Sequence, residues 1–170
     1  MATRLERTAY HEAGHAVMAI RYKISFKYVT IEPSESEDTL GHVKFREYPT
    51  WLDLENVDER TNRWSEKRIL VSLAGQAAEC HLIGRENWIG AGQDWENAVS
   101  IAAKRFDPAS KTLGPYLNYL RERVKEEIAS LQNWDDIEAL ASELLEQKRL
   151  SARAVRQLLR DRFNQRFGAS

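Results

Sequence analysis

The sequence predicts a mainly α fold of the α+β class, with a small antiparallel β-sheet between the first helix and a long second helix. Three observations predict it. Apolar residues recur at helical spacing over most of the chain, and the pattern switches to alternation only between Phe26 and Glu47. From about Asp58 to Ile83 the helical pattern then runs without a proline.

Taken in order, residues 4–22 predict a helix with Leu5, Ala9, Ala13, Ala16, Val17 and Ile20 near helical spacing. Gly14 interrupts it at a cost of about 1 kcal/mol against alanine, so a packing or site reason is expected there. Phe26–Ile31 is β-branched and aromatic and reads as a strand. Residues 32–38 read as a solvated acidic loop, and Leu40–Glu47 as a second strand. The helix over 58–83 contains Ala74-Gly75-Gln76-Ala77-Ala78, small enough for another helix to approach closely, and Gly84 ends it. A glycine-rich loop, Gly84–Gln93, precedes a helix over Asp94–Phe106. The remainder predicts helices near 115–131, 134–148 and 151–166, the last capped by Ser151. The expectation is a single domain over 1–170, with a motif-bearing part at 1–110 and a C-terminal helical part at 111–170.

Composition limits the function classes. Twenty-five Lys and Arg stand against twenty-six Asp and Glu, a formal charge of −1, so no nucleic-acid partner is expected. The neutrality is a sum of unlike parts, since residues 147–170 carry +6 and the rest −7. No apolar run approaches the roughly 18–20 residues that span a bilayer, and no signal core opens the sequence. The lone Cys80 excludes an internal disulfide and a multi-cysteine zinc site. A soluble cytoplasmic domain is the expectation.

His11-Glu12-Ala13-Gly14-His15 is an H-E-x-x-H motif within the first predicted helix. Histidines at i and i+4 share a helix face, so both imidazoles can reach one metal ion. Zinc accepts imidazole nitrogen and lowers the pKa of a bound water to about 7, and Glu12 is placed as the base that takes that water's proton. A third protein ligand is needed. The metzincin pattern is excluded, because Met18 and Arg21 stand where its glycine and third histidine would be. His42 and His81 read as structural histidines. Glu79, an acid within an apolar helix, and Asp94, at a helix start where it could equally serve as an N-cap, remain as alternatives of equal weight.

Several ordered motifs resemble the FtsH-type (M41) metalloprotease domain. Ala9–Val17 resembles its zinc-site helix, Lys27–Pro33 its following strand and Leu40-Gly41 its next strand start. Leu73–Glu79 is similar to its Gly-Arg-Ala-Ala-Glu helix, and Gly90-Ala91-Gly92-Gln93-Asp94 matches its Gly-Ala-x-x-Asp motif. The resemblance implies a helical peptidase domain with one zinc per chain. It implies His11, His15 and Asp94 as ligands, Glu12 as catalytic base, and Glu79 as a carboxylate orienting a ligand. It further implies that the strand at Val29, Thr30 and Ile31 is an edge that pairs with an extended, unfolded polypeptide substrate. FtsH-type proteases also carry a membrane anchor and an ATPase module. This sequence has no G-x-x-x-x-G-K-[ST] phosphate loop. The expectation is therefore an ATP-independent peptidase, acting alone, as a homo-oligomer, or with a separate partner that delivers substrate. A non-catalytic zinc-stabilised adaptor and a zinc hydrolase of another amide are the alternatives.

Smaller features complete the reading. Cys80 is expected to be buried and inert, and Arg149, Arg153, Arg156 and Arg160 to form a solvated stripe on one helix face. Trp51, Trp88 and Trp95 are expected either to line a substrate groove or to pack in the core.

Overall fold

The computed structural model describes residues 2–33, 40–55, 58–86, 92–107 and 109–168. The first helix, α1 (Arg4–Tyr22), opens with a capping box in which Thr3 and Glu6 satisfy each other's backbone N–H groups. It ends with Lys23 in the left-handed region at φ 60°. Strands β1 (Phe26–Thr30) and β2 (His42–Phe45) follow, and then α2 (Glu59–Ile83), capped by Asp58 and closed by Gly84 at φ 67°. Next come α3 (Gly92–Ala103), α4 (Leu113–Ala129), α5 (Leu131–Gln147), a short β3 (Arg149–Ser151) and α6 (Ala152–Phe167). The mainly α prediction with a small antiparallel sheet is what the structure contains. None of the described helices is long and apolar enough to cross a membrane.

Helix α1 is the core element, its small residues Ala9, Ala13, Ala16 and Ala19 buried completely. Gly14 now has its reason. A Cβ there would lie 2.7 Å from both the Ala74 carbonyl oxygen and the Ala78 Cβ, so α1 and α2 cross too closely for a side chain. The other end of α1 is tied by charge. Arg21 and Arg166 of α6 both bond to Asp136 of α5, which is 1% exposed, while Arg162 and Arg166 engage Asp135.

The sheet order is β2-β1-β3, antiparallel throughout, and this corrects one expectation. Val29 pairs with Val43 on one side and Leu150 on the other, and Thr30 with His42 and Arg149. The Ile31 N–H donates to the Lys148 carbonyl at 2.9 Å. Val29 and Thr30 are therefore closed on both flanks, Ile31 is bonded on the β3 side, and all three are buried, so they are not a free edge for a substrate. Within this sheet β2 is the edge strand that lines a cleft together with His11, Glu12 and His15 of α1. Arg149 lies on β3 with its guanidinium stacked on Tyr28, so the expected helical stripe keeps only the exposed Arg153, Arg156 and Arg160. The acidic segment 34–39, the Gly90-Ala91 half of the Gly-Ala-x-x-Asp motif, and Trp88 lie outside the described residues.

Candidate metal centre

Two helices converge on one point. Helix α1 presents His11 and His15 one turn apart, and the first turn of α3 presents Asp94. His11 Nε2 lies 3.0 Å from Asp94 Oδ2, His15 Nε2 lies 3.1 Å from the same oxygen, and the two Nε2 atoms are 3.1 Å apart. Among the described residues, this is the group of His, Cys, Asp and Glu side chains placed to hold a metal ion. Because α3 begins at Gly92, Asp94 sits inside its first turn, and the N-cap reading does not hold.

The hydrogen bonds around the cluster fix which ring nitrogens are free. His15 Nδ1 lies 2.7 Å from the Val71 carbonyl of α2, and a carbonyl only accepts. Nδ1 therefore carries the proton, which leaves the Nε2 lone pair facing the cluster. On the other ring, His11 Nδ1 is 3.6 Å from Glu79 Oε2, a charge contact longer than a hydrogen bond. Glu79 is itself held by Arg7, whose Nε donates to Oε1 at 2.8 Å. Arg7 and His11 together hold the Glu79 carboxyl below its ordinary range against the opposing effect of burial.

The electrostatics of the metal-free cluster are those of a cation site. Burial alone would raise the Asp94 pKa, yet the two imidazoles hold it far below the carboxylate range. Burial works to lower the His11 pKa, but Asp94, Glu79 and Glu12 push it up to about 10. Positive charge at this point is what the surrounding groups favour, whether it comes from a proton or a metal. Two nitrogens and an oxygen at 3.0–3.1 Å spacing fit zinc, since tetrahedral bonds of about 2.0–2.1 Å place ligand atoms about 3.3 Å apart. Small outward shifts would complete the coordination.

Glu12 is 6% exposed and lines the cleft beside both imidazoles, and burial raises its pKa above the usual carboxylate value. Gly41, at the start of β2, passes over it, and a Cβ there would stand 3.1 Å from Glu12 Cγ. Gly75 of α2 faces the cluster from below. A Cβ on it would stand 2.6 Å from His11 Nε2 and closer still to His15 Nε2. The sequence assigned that glycine to helix packing. Its larger task is to leave room for the two imidazoles.

The remaining predicted residues separate from the centre. His81 packs against Trp134 with ring centroids 4.3 Å apart, Cys80 is buried, and His42 stands beside Tyr28 in the cleft wall without joining the cluster. Trp95 packs on the core, while Trp51 carries the Arg60 guanidinium 3.6 Å above its ring. Arg7 was missed by the sequence reading, although it lies four residues before His11 on the same helix face. That spacing was the available signal.

Two imidazoles one turn apart, a carboxylate from a separate helix and an adjacent buried glutamate define an H-E-x-x-H metal-site domain on a mainly helical scaffold. The chain belongs to peptidase family M41, whose family model matches residues 2–116. The match ends short of α5, β3 and α6. The chain is similar to "ATP-dependent zinc metalloprotease FtsH 1" of Symbiobacterium thermophilum, with 34% identity over 96 residues, covering 56% of this chain and 15% of that protein. It is also similar to human "ATP-dependent zinc metalloprotease YME1L1", with 36% identity over 106 residues, covering 57% of this chain and 12% of that protein. The chain thus spans a small fraction of the length of these relatives.

Proposed function

We propose that this domain is a zinc metallopeptidase that hydrolyses peptide bonds of unfolded polypeptides without ATP. The observation that carries it is the triangle of His11 Nε2, His15 Nε2 and Asp94 Oδ2 at 3.0–3.1 Å, with buried Glu12 beside it. His11, His15 and Asp94 hold one zinc. When bound, zinc supplies Lewis acidity that polarises the scissile carbonyl and acidifies a water.

The protein's own groups do the rest. Glu12 takes a proton from the attacking water and returns it to the leaving amine, and burial moves its pKa towards the value such a shuttle needs. His15 is aimed by the Val71 carbonyl, and His11 by Glu79 and Arg7. Strand β2, from His42 to Phe45, lines the cleft along which an extended substrate runs past Glu12. That geometry accepts unfolded segments and excludes folded ones.

The test combines metal analysis with cleavage of an unfolded protein by wild type and Glu12→Gln. Expected are one zinc per chain in both and cleavage by wild type alone. Equal cleavage by the two would remove Glu12 from the mechanism, and zinc-free protein from a zinc-supplemented preparation would remove the site. Asp94→Ala should lose the metal, whereas Glu79→Ala should retain it with about 10–100-fold weaker affinity.

A further inference from the structure

The cleft at the metal centre is one section of a longer trough. Its own hollow, about 260 Å3, shares Phe45 and Arg68 with a neighbouring one of about 290 Å3. That hollow in turn shares Lys23 and Trp64 with a third, of about 590 Å3. On the opposite side of Glu12 a hollow of about 500 Å3 is reached past Arg7 and Gly41. A peptide crossing the metal centre therefore meets two different flanks.

Both flanks hold arginines, and Arg7 on one side and Arg68 on the other are differently engaged. Arg7 is committed to Glu79. Arg68, on α2, has its guanidinium carbon 3.8 Å above the Phe45 ring and makes no hydrogen bond or ion pair with any described residue. It is only partly open to solvent, and burial lowers its pKa, so its charge is under-compensated where it lies. The nearest carboxylate of the site, Asp94, already faces the two imidazoles. Stacking on Phe45 holds the guanidinium plane, leaving its N–H fork for a ligand. Beyond it the trough stays cationic. Lys23, Arg46 and Lys67 line it together with Glu47, Asp58 caps α2 and Glu59 is paired with Arg63, so basic side chains outnumber acidic ones along it.

We infer that Arg68 is a specificity residue that binds a carboxylate of the substrate on the Phe45 side of the scissile bond. The inference rests on the metallopeptidase reading above. The shared chemistry is a peptide carboxylate, and its two sources are an acidic side chain or the C-terminal carboxylate of the substrate chain. Arginine suits either, because its planar fork matches a carboxylate through two parallel hydrogen bonds. In this role the group binds and orients the substrate, and Glu12 retains the proton transfer.

The test uses zinc-loaded protein and quenched fluorescent peptides that carry Glu or Gln at successive positions on either side of one cleavable bond. Each peptide is made with a free and an amidated C-terminus. Wild type is expected to favour Glu over Gln at one position on one side by about tenfold in kcat/KM, mainly through KM. If the C-terminal carboxylate is the true ligand, amidation produces that loss and the side-chain series does not. Arg68→Gln should abolish the discrimination, and Arg68→Glu should reverse it in favour of Lys peptides. Zinc content and melting temperature of the variants report whether each is folded.

The same peptides, labelled and titrated against zinc-loaded Glu12→Gln, separate this inference from the catalytic reading. A carboxylate preference in binding without any cleavage by wild type would sink the peptidase reading and keep Arg68 as an anchor. Equal handling of all charged and neutral peptides by wild type would overturn the inference. So would a preference that survives Arg68→Gln.

Discussion

Midway along α1, the helix meets α2 through Gly14, Ala74 and Ala78, and polar groups of α1, α2 and α3 turn toward one point. At its C-terminal end, α1 meets α5 and α6 through charge, with Arg21 and Arg166 gripping the buried Asp136. The first contact allows backbones to approach until two imidazoles and a carboxylate come within 3.1 Å of each other. The second tolerates longer side chains and ties α5 and α6 to α1. The comparison teaches that one helix presents the His-Asp cluster from its middle and anchorage from its C-terminal end. Perturbing either region should leave a distinct signature.

The largest effect is expected at Gly75. Gly75→Ala drives a methyl into both imidazoles, so the variant should lose zinc and all hydrolysis while the C-terminal half keeps its packing. Zinc stoichiometry together with circular dichroism checks this, and a fully metallated, active variant would erase the distinction between the two regions.

Metal removal should expose the next effect. In metal-free protein the His11 pKa is held up at about 10, above its unfolded value of about 6.5. The folded state then binds the extra proton, so this contribution to stability is complete below pH 6.5 and is lost as pH rises through 10. Zinc-stripped protein should melt progressively lower from pH 7 to pH 10, and zinc-loaded protein should not follow it. Scanning calorimetry of the two forms would decide, with parallel curves counting against the cation-site electrostatics.

At the anchoring end, Asp136→Ala leaves two arginines without their shared carboxylate. It should cost about 2 kcal/mol, less than for a fully buried pair because both arginines are partly open to solvent. Zinc stoichiometry should be unchanged, as urea denaturation and metal analysis would report. The smallest effect is Ser151→Ala, which removes the N-cap bond to Ala154 N–H and should cost about 1 kcal/mol with no change in hydrolysis.

Much of this was legible because it is local. Helix α1 was read to its exact ends, since apolar spacing and its boundaries lie within nineteen residues. The pairing of β1 with β2 followed from alternation in two nearby segments. What escaped was long-range. Strand β3 is three residues long and carries no periodic signal, and its partner lies more than a hundred positions earlier. That hidden pairing is why Val29–Ile31 read as an edge. The choice between Glu79 and Asp94 depended on how α2 and α3 dock around α1, which spacing alone left open. Glu79 turned out to face the Nδ1 side of His11 and Asp94 the Nε2 side.

The late position of β3 has a consequence in time. Residues 28–30 cannot gain their second partner until residues 149–151 have left the ribosome, and closing so long a loop is entropically slow. A nascent chain can therefore assemble α1, α2 and α3 around His11, His15 and Asp94 while one flank of β1 still presents bare N–H and C=O groups. Such a flank is a template for pairing with another chain. Strand β3 thus closes a window of aggregation risk during synthesis, and chains truncated before residue 149 would keep that window open.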